Sequence, residues 1–173
     1  MYKTLKEVTQ TATQLNMTIG AFNTHNLEMM PEMIRAAKEL GVPIIIQTSI
    51  ATAKYIGYKV MVTVAKEMAE DEMVDVCLHL DHAKDFDEIK AAIDAGFSSV
   101  MFDGSALPFK ENIAKTKMVV AYAHAHGASV EGELGTIGGT EEGICVSEDD
   151  KKYTRPQDAA IFVKETNVDA LAI

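Results

Sequence analysis

The 173-residue chain is 47% hydrophobic and 24% charged, the balance of one globular domain with a packed core rather than of a disordered or fibrous polypeptide. Sixteen lysines and arginines against 26 aspartates and glutamates leave a net charge of -10. That excludes a broad basic footprint for nucleic acid or anionic lipid, so any anionic ligand must be held by local groups.

Short apolar runs alternate with amphipathic stretches from end to end, the rhythm of βα units feeding a parallel sheet. Six strands are predicted, over residues 19–23, 43–49, 76–82, 99–104, 129–135 and 168–173. Strands buried on both faces read as near-continuous runs of Val, Ile, Leu and Ala, as these do. Between them, Thr4-x-x-Glu7 and Asp85-x-x-Glu88 have the spacing of capping boxes, and Pro108 and Pro156 suit a first helical turn. Gly41, Gly96 and Gly127 are placed to close three helices. One segment breaks the rhythm: residues 136–155 contain Gly138, Gly139 and Gly143 and show no clear period, far beyond the usual βα connection of about 2–6 residues. No composition shift or Pro/Ser-rich linker divides the chain, so a single domain is expected. A (β/α)8 barrel needs about 250 residues, and six strands are what it would have delivered over this length.

Cys77 and Cys145 lie far apart with no C-x-x-C spacing, so neither a disulfide framework nor a zinc knuckle is indicated, and a reducing cytoplasm is expected. The first residues lack an apolar signal core, and the longest apolar run is too short to span a bilayer, so a soluble protein without a membrane partner is expected.

Parallel α/β architectures place their chemistry at the C-terminal ends of strands, where the βα loops converge. Here those ends carry Asn23, Ser49, Asp81-His82, Asp103 and Glu133. Each taken singly also fits an N-cap or turn residue. Together they put carboxylates, an imidazole and small hydrogen-bonding groups on one rim. Regular pleating would send Asp81 and His82 to opposite faces, so both serve one site only where pleating stops. A neutral imidazole there can ligate zinc while the carboxylate moves a proton. His79, deeper in the same strand, reads as a hydrogen-bonded core histidine. His124 and His126, in the last turn of a helix, read as structural, and His25 as a loop residue. No lysine occupies a strand end, although Lys84 is near. Carboxylates with histidine suit metal-stabilised carbanion chemistry better than a Schiff base.

Three motifs carry a family resemblance. They are Leu78-His79-Leu80-Asp81-His82; residues 99–105 with Leu107-Pro108-Phe109; and Glu131-Gly132-Glu133-Leu134-Gly135 with Gly138-Gly139. With Ala21-Phe22-Asn23 near the start, they resemble the class II zinc-dependent ketose-bisphosphate aldolases, in that family's order and over essentially the whole chain. The resemblance implies a (β/α)8 TIM barrel, of which this chain would hold about the first six βα units. It also implies cleavage of fructose or tagatose 1,6-bisphosphate to dihydroxyacetone phosphate and glyceraldehyde 3-phosphate. By the same resemblance His82 is a zinc ligand and Asp81 the acid/base at the C4 hydroxyl. Glu141 is the mobile base at the dihydroxyacetone phosphate carbon. Asp103 and Glu133 line the metal pocket, in some members at a secondary position for a further divalent or monovalent cation. Ser49 matches a phosphate-contacting serine and Asn23 a pocket asparagine.

The run Ser49-Ile50-Ala51 departs from the family, which usually has a glycine soon after that serine. The family's other two zinc histidines and main phosphate loops follow the sixth strand. The complete protein is therefore expected to be the aldolase, a cytoplasmic homo-oligomer, dimer or tetramer, acting on a phosphorylated sugar. This chain alone is expected to be inactive. The competing expectation is a non-catalytic barrel fragment that self-associates or needs a complementary C-terminal chain.

Overall fold

A computed structural model describes residues 1–136, 139–141, 144–146 and 153–173, the side chains of 139–141 and 144–146 excepted. Six strands, β1 (Ala21–Asn23), β2 (Ile44–Ser49), β3 (Val76–Ala83), β4 (Ser99–Phe102), β5 (Ser129–Glu133) and β8 (Ala170–Ala172), pair in that spatial order, every neighbour parallel. Helices α2 (Met29–Leu40), α3 (Ile50–Ile56), α4 (Tyr58–Glu72), α5 (Phe86–Ala95), α6 (Phe109–Ala125) and α7 (Pro156–Thr166) fill the crossovers. All six predicted strands are present, most of them trimmed at the ends. The sheet curls: Ala21 of β1 and Ala170 of β8, from opposite edges, line one cavity. The result is a (β/α) barrel in part, closed on one side and open between β1 and β8.

Strand parity sorts the side chains. Even-numbered residues such as Ile44, Ile46, Leu78, Leu80, Val100 and Val130 point outward into the large core beneath the helices, together with Met30, Ile34, Ile89, Val119 and Phe162. Odd-numbered residues of β1 to β5, and the even-numbered Ala170 and Ala172 of β8 that pair with Glu131 and Glu133, point into the concavity. Its deep end is apolar, where Ile45 and Cys77 pack with Leu5 and Val8 of α1 (Leu5–Gln14). Helix α1 therefore covers the N-terminal end of the concavity, where the polar residues are buried and hydrogen-bonded, as Ser129 is to the Lys6 amide, and the accessible polar groups gather at the C-terminal end.

The capping expectation holds at α1. There the Thr4 hydroxyl accepts from the Glu7 amide at 3.3 Å, and the Glu7 carboxylate accepts from the Thr4 amide at 2.8 Å. At α5 it holds by half. Asp85 caps by accepting from the Asp87 amide, but Glu88 turns away to Lys54 and the Tyr58 hydroxyl, 2.5 and 3.1 Å away. Pro156 opens α7 as expected, whereas Pro108 is the N-cap of α6, one place earlier than read. The aperiodic segment holds a short antiparallel hairpin, β6 (Gly139–Glu141) with β7 (Ile144–Val146), which periodicity did not signal because three-residue strands are too short to show alternation. Among the described residues no helix is long and apolar enough to cross a membrane.

One buried carboxylate ties the N-terminal end together. Asp169 accepts from the Val130 amide at 2.9 Å and from His124 Nε2 at 2.7 Å, and pairs with Lys6 of α1 at 3.2 Å. Burial pushes this carboxyl up, but the Val130 amide and the His124 and Lys6 partners outweigh it and hold it below its ordinary value. Replacing Asp169 by Ala strands the Val130 amide and removes the Lys6 ion pair, leaving the Lys6 amide to Ser129 Oγ bond at 3.2 Å between α1 and β5. We expect a loss of about 2–3 kcal/mol in unfolding free energy, read from urea denaturation monitored by circular dichroism. A midpoint equal to that of the wild type would show that Asp169 ties nothing.

Candidate metal and acid/base site

The site forms because β3 does not stay regular. Its pairing with β4 runs Leu80 with Val100 and then Ala83 with Phe102, so three steps on β3 face two on β4. His82 takes up the extra residue with φ of 50°, in the left-handed region that non-glycine residues rarely occupy. Asp81 and His82, which strict alternation would separate, therefore both line the concavity. Pleating stops there, as a shared site requires.

Three donors converge around the turned imidazole. His82 Nδ1 lies 3.5 Å from Asp103 Oδ2 and 3.7 Å from Glu133 Oε2, and Nε2 lies 4.0 Å from Asp81 Oδ1. One ligand atom from each of His82, Asp103 and Glu133 falls within 4.8 Å of the others. Ligands about 2.0–2.2 Å from a tetrahedral ion sit roughly 3.3–3.5 Å apart, so the donor set fits a small divalent cation. Burial opposes ionisation of Asp103, but hydrogen bonds from His82 and Ser105 and the nearby Lys84 ammonium hold its carboxyl far below the usual range. It therefore stays an anionic oxygen donor across the physiological range.

Backbone anchoring keeps this geometry. The carbonyl of Glu133 accepts from Asn112 Nδ2 at 2.9 Å, and Asn112 Oδ1 accepts from Thr116 at 3.0 Å, both from α6 behind the rim. A Cβ on Gly104 would run into Asn112, so the chain after β4 must pass as glycine.

Two lining residues escaped the sequence reading. Gln47 Nε2 donates to Asp81 Oδ2 at 2.8 Å and to Asn23 Oδ1 at 2.7 Å, which fixes the carboxylate of Asp81 and links Asn23 to the site. Glu131 occupies the floor, two residues below Glu133 on the same face. Its carboxyl is pushed up to about 7, by burial first and then by the Asp81 charge, with His82 opposing. The available signal was parity: each is a polar residue inside an apolar strand, in phase with a polar strand end.

The other sequence candidates fall as follows. Ser49 stands beside Asp81 in register and caps α3, accepting from the Thr52 amide at 3.3 Å. The backbone of Glu141 is in β6, paired with Ile144, and its side chain lies outside the described residues. Gly138 and Gly143 also lie outside them. His79 is a buried core histidine, as read, with Nδ1 2.8 Å from Ser99 Oγ, yet its Nε2 reaches Glu131 Oε2 at 3.3 Å. His124 joins Asp169, and His126 stacks on Tyr122 at 4.3 Å, both structural.

An open parallel barrel with a carboxylate-imidazole cluster at its C-terminal rim, able to hold a metal ion, defines a (β/α)-barrel protein with a candidate site at the strand ends. Comparison narrows it: the family model described as fructose-bisphosphate aldolase class-II matches residues 3–173. The chain belongs to that family. It is 44% identical over 173 residues to a fructose-bisphosphate aldolase of Giardia intestinalis, covering 98% of this chain and 52% of that protein. With a fructose-bisphosphate aldolase of Geobacillus stearothermophilus it shares 42% identity over 171 residues, or 97% of this chain and 59% of that protein. Among solved structures, the YdjI aldolase of Escherichia coli K12 superposes with a TM-score of 0.83 at 32% identity, over all of this chain and 61% of that one. Fructose-bisphosphate aldolase of Campylobacter jejuni gives 0.75 at 26%, over 96% and 55%. The chain thus spans between half and two thirds of the length of these relatives.

Burial lowers the His79 imidazole from 6.5 to about 4, with the neighbouring His82 adding to the effect. The folded state therefore prefers the neutral ring, and the unfolded chain binds the proton first. This contribution to stability is whole above about pH 6.5 and declines as the pH falls toward about 4. Proton NMR of the histidine ring signals should show one imidazole that stays neutral through pH 5. Ordinary titration of all five would refute the buried placement.

Proposed function

We propose that the complete protein catalyses metal-dependent aldol cleavage and condensation of a ketose 1,6-bisphosphate, fructose or tagatose, and that this chain furnishes part of the site. One observation carries the reading: the irregularity in β3 that sets the Asp81 carboxylate beside the His82, Asp103 and Glu133 donors. Family membership and the names of the relatives support it.

His82, with Asp103 and Glu133, would hold the cation, zinc in this reading, and Asp103 or Glu133 can serve a second cation. When bound, the ion supplies Lewis-acid stabilisation of the negative charge that carbon-carbon cleavage leaves on the substrate oxygens. Asp81 takes the proton from the C4 hydroxyl as the aldehyde forms and returns it in condensation. Its Oδ2 accepts from Gln47, which holds the carboxylate in one orientation. Glu141 moves the proton at the dihydroxyacetone phosphate carbon. Asn23 and Ser49, at the ends of β1 and β2, contact the phosphorylated substrate. The deep apolar packing of Ile45, Cys77 and α1 keeps water out from below.

Chelation of the complete protein should abolish cleavage of fructose or tagatose 1,6-bisphosphate, and zinc should restore it. Asp81→Asn should lower turnover by about 10²–10⁴-fold, the usual worth of a positioned general acid/base, while zinc content measured by atomic absorption stays at the wild-type level. Turnover indifferent to both treatments would reduce Asp81 to a structural residue and remove the metal from the chemistry.

A second reading, association through the sheet edges, is favoured by β1 and β8, each paired on one side only among the described residues, with Phe22 of β1 half exposed. Sedimentation of the 173-residue chain as a stable monomer would count against it.

A further inference from the structure

The floor of the cavity carries a carboxylate to which the proposed reaction gives no role. Glu131 shares its face with Glu133 and lines the same cavity as Asp81 and His82, yet it is not among the donors that converge within 4.8 Å. Its Oε2 is turned instead toward His79 Nε2 at 3.3 Å, and His79 is anchored on its far side by Ser99 Oγ at 2.8 Å. The anchor is rigid. His79 and Ser99 are register partners across β3 and β4, both are buried, and the ring is 2% exposed. An imidazole with its proton on Nε2 donates to Glu131 and accepts from the Ser99 hydroxyl, so both ring nitrogens are used.

Such an arrangement is costly as mere packing. A half-buried carboxylate beside the Asp81 charge is repelled, and a leucine or methionine at the same place would bury without penalty. It becomes favourable once a dication sits among His82, Asp103 and Glu133, because the same low-dielectric floor that magnifies the repulsion magnifies the attraction. Non-ligating residues that hydrogen-bond to metal ligands commonly change affinity by about 10–100-fold, and a fixed charge on the same partly buried floor acts on the cation through the field alone.

We propose that Glu131, held on the cavity floor by the Ser99–His79 anchor, is a positioning residue for the cation centre: a fixed negative charge below the donors that strengthens cation binding without ligating. This rests on the metal reading of the site given above.

The test is Co²⁺ binding to the full 173-residue chain at pH 8, followed by calorimetry and by the visible ligand-field bands. Circular dichroism checks the fold of each variant. Glu131→Gln keeps the shape and can still accept from His79, so only the charge is lost. Affinity is expected to fall by about 10–100-fold, with stoichiometry and band positions unchanged. Glu131→Asp, which keeps the charge one methylene further back, should recover part of the loss. Glu165→Gln removes an exposed surface carboxylate that pairs with Lys117, and it should bind like wild type, which separates a local field from net charge. Wild-type affinity in Glu131→Gln overturns the inference. So does a shift of the cobalt bands, because Glu131 would then be a ligand. His82→Ala serves as the control on the underlying reading. If it binds as well as wild type, His82 is not a ligand and the metal reading falls with this inference. If wild type does not bind, the three donors of this chain do not hold a cation and the inference is overturned, while the metal reading of the complete protein stands on its own chelation test.

Discussion

The site depends on one departure from regular backbone. A β-strand sends consecutive side chains to opposite faces, and a parallel barrel keeps one face for the helices and the other for the concavity. Asp81 and His82 are adjacent, so an unbroken β3 would bury one of them among Leu78, Leu80 and Val100. By spending one extra residue at His82, with φ of 50°, the strand turns both into the cavity and still brings Ala83 back into register with Phe102. Strain of this kind persists only where the surroundings over-determine it. Here they do: Gln47 grips Asp81 from β2, while Asp103 and Glu133 face the His82 ring from β4 and β5.

Electrostatics follow from that placement. Four carboxylates, Asp81, Asp103, Glu131 and Glu133, line or rim a partly buried cavity in a chain that is already strongly acidic. Their mutual repulsion is relieved in different ways. Asp103 is held ionised by His82, Ser105 and Lys84, whereas Glu131 is pushed toward the neutral range by burial and by Asp81. Neighbouring carboxyls with protonation tendencies driven apart suit the roles proposed for this site, holding a cation and moving a proton.

Rigidity is distributed unevenly and suits the chemistry. At the N-terminal end the concavity is filled by α1 and tied by Asp169, which joins α1, α6 and β5 through one carboxylate. At the C-terminal end the polar residues rest on strand ends whose backbones are pinned from behind, as Asn112 pins the carbonyl of Glu133. A site built on strand termini varies little in position, whereas its connecting loops are free to differ.

Much was legible from the amino-acid order alone. Six apolar runs at βα spacing determined a parallel architecture, because strands buried on both faces must be apolar throughout, and the polar residues ending those runs located the rim. Asp81, His82, Asp103 and Glu133 were placed on that rim from their position alone, and the motifs around them pointed to the family. Gln47 and Glu131 were not found, since a polar residue inside an apolar run is ambiguous until its phase against neighbouring strands is known. The hairpin β6–β7 was too short to have a period. Only the tertiary structure decided that Asp81 and His82 share a face, that Glu131 is anchored by His79 while Glu133 joins the donors, and that Glu88 leaves its helix cap for Lys54 and Tyr58. Sequence specifies which residues are apolar and how they recur along one strand. Register between strands, and the place where a strand breaks its pleat, are set by packing among segments far apart in the chain, and that is where the chemistry of this cavity was determined.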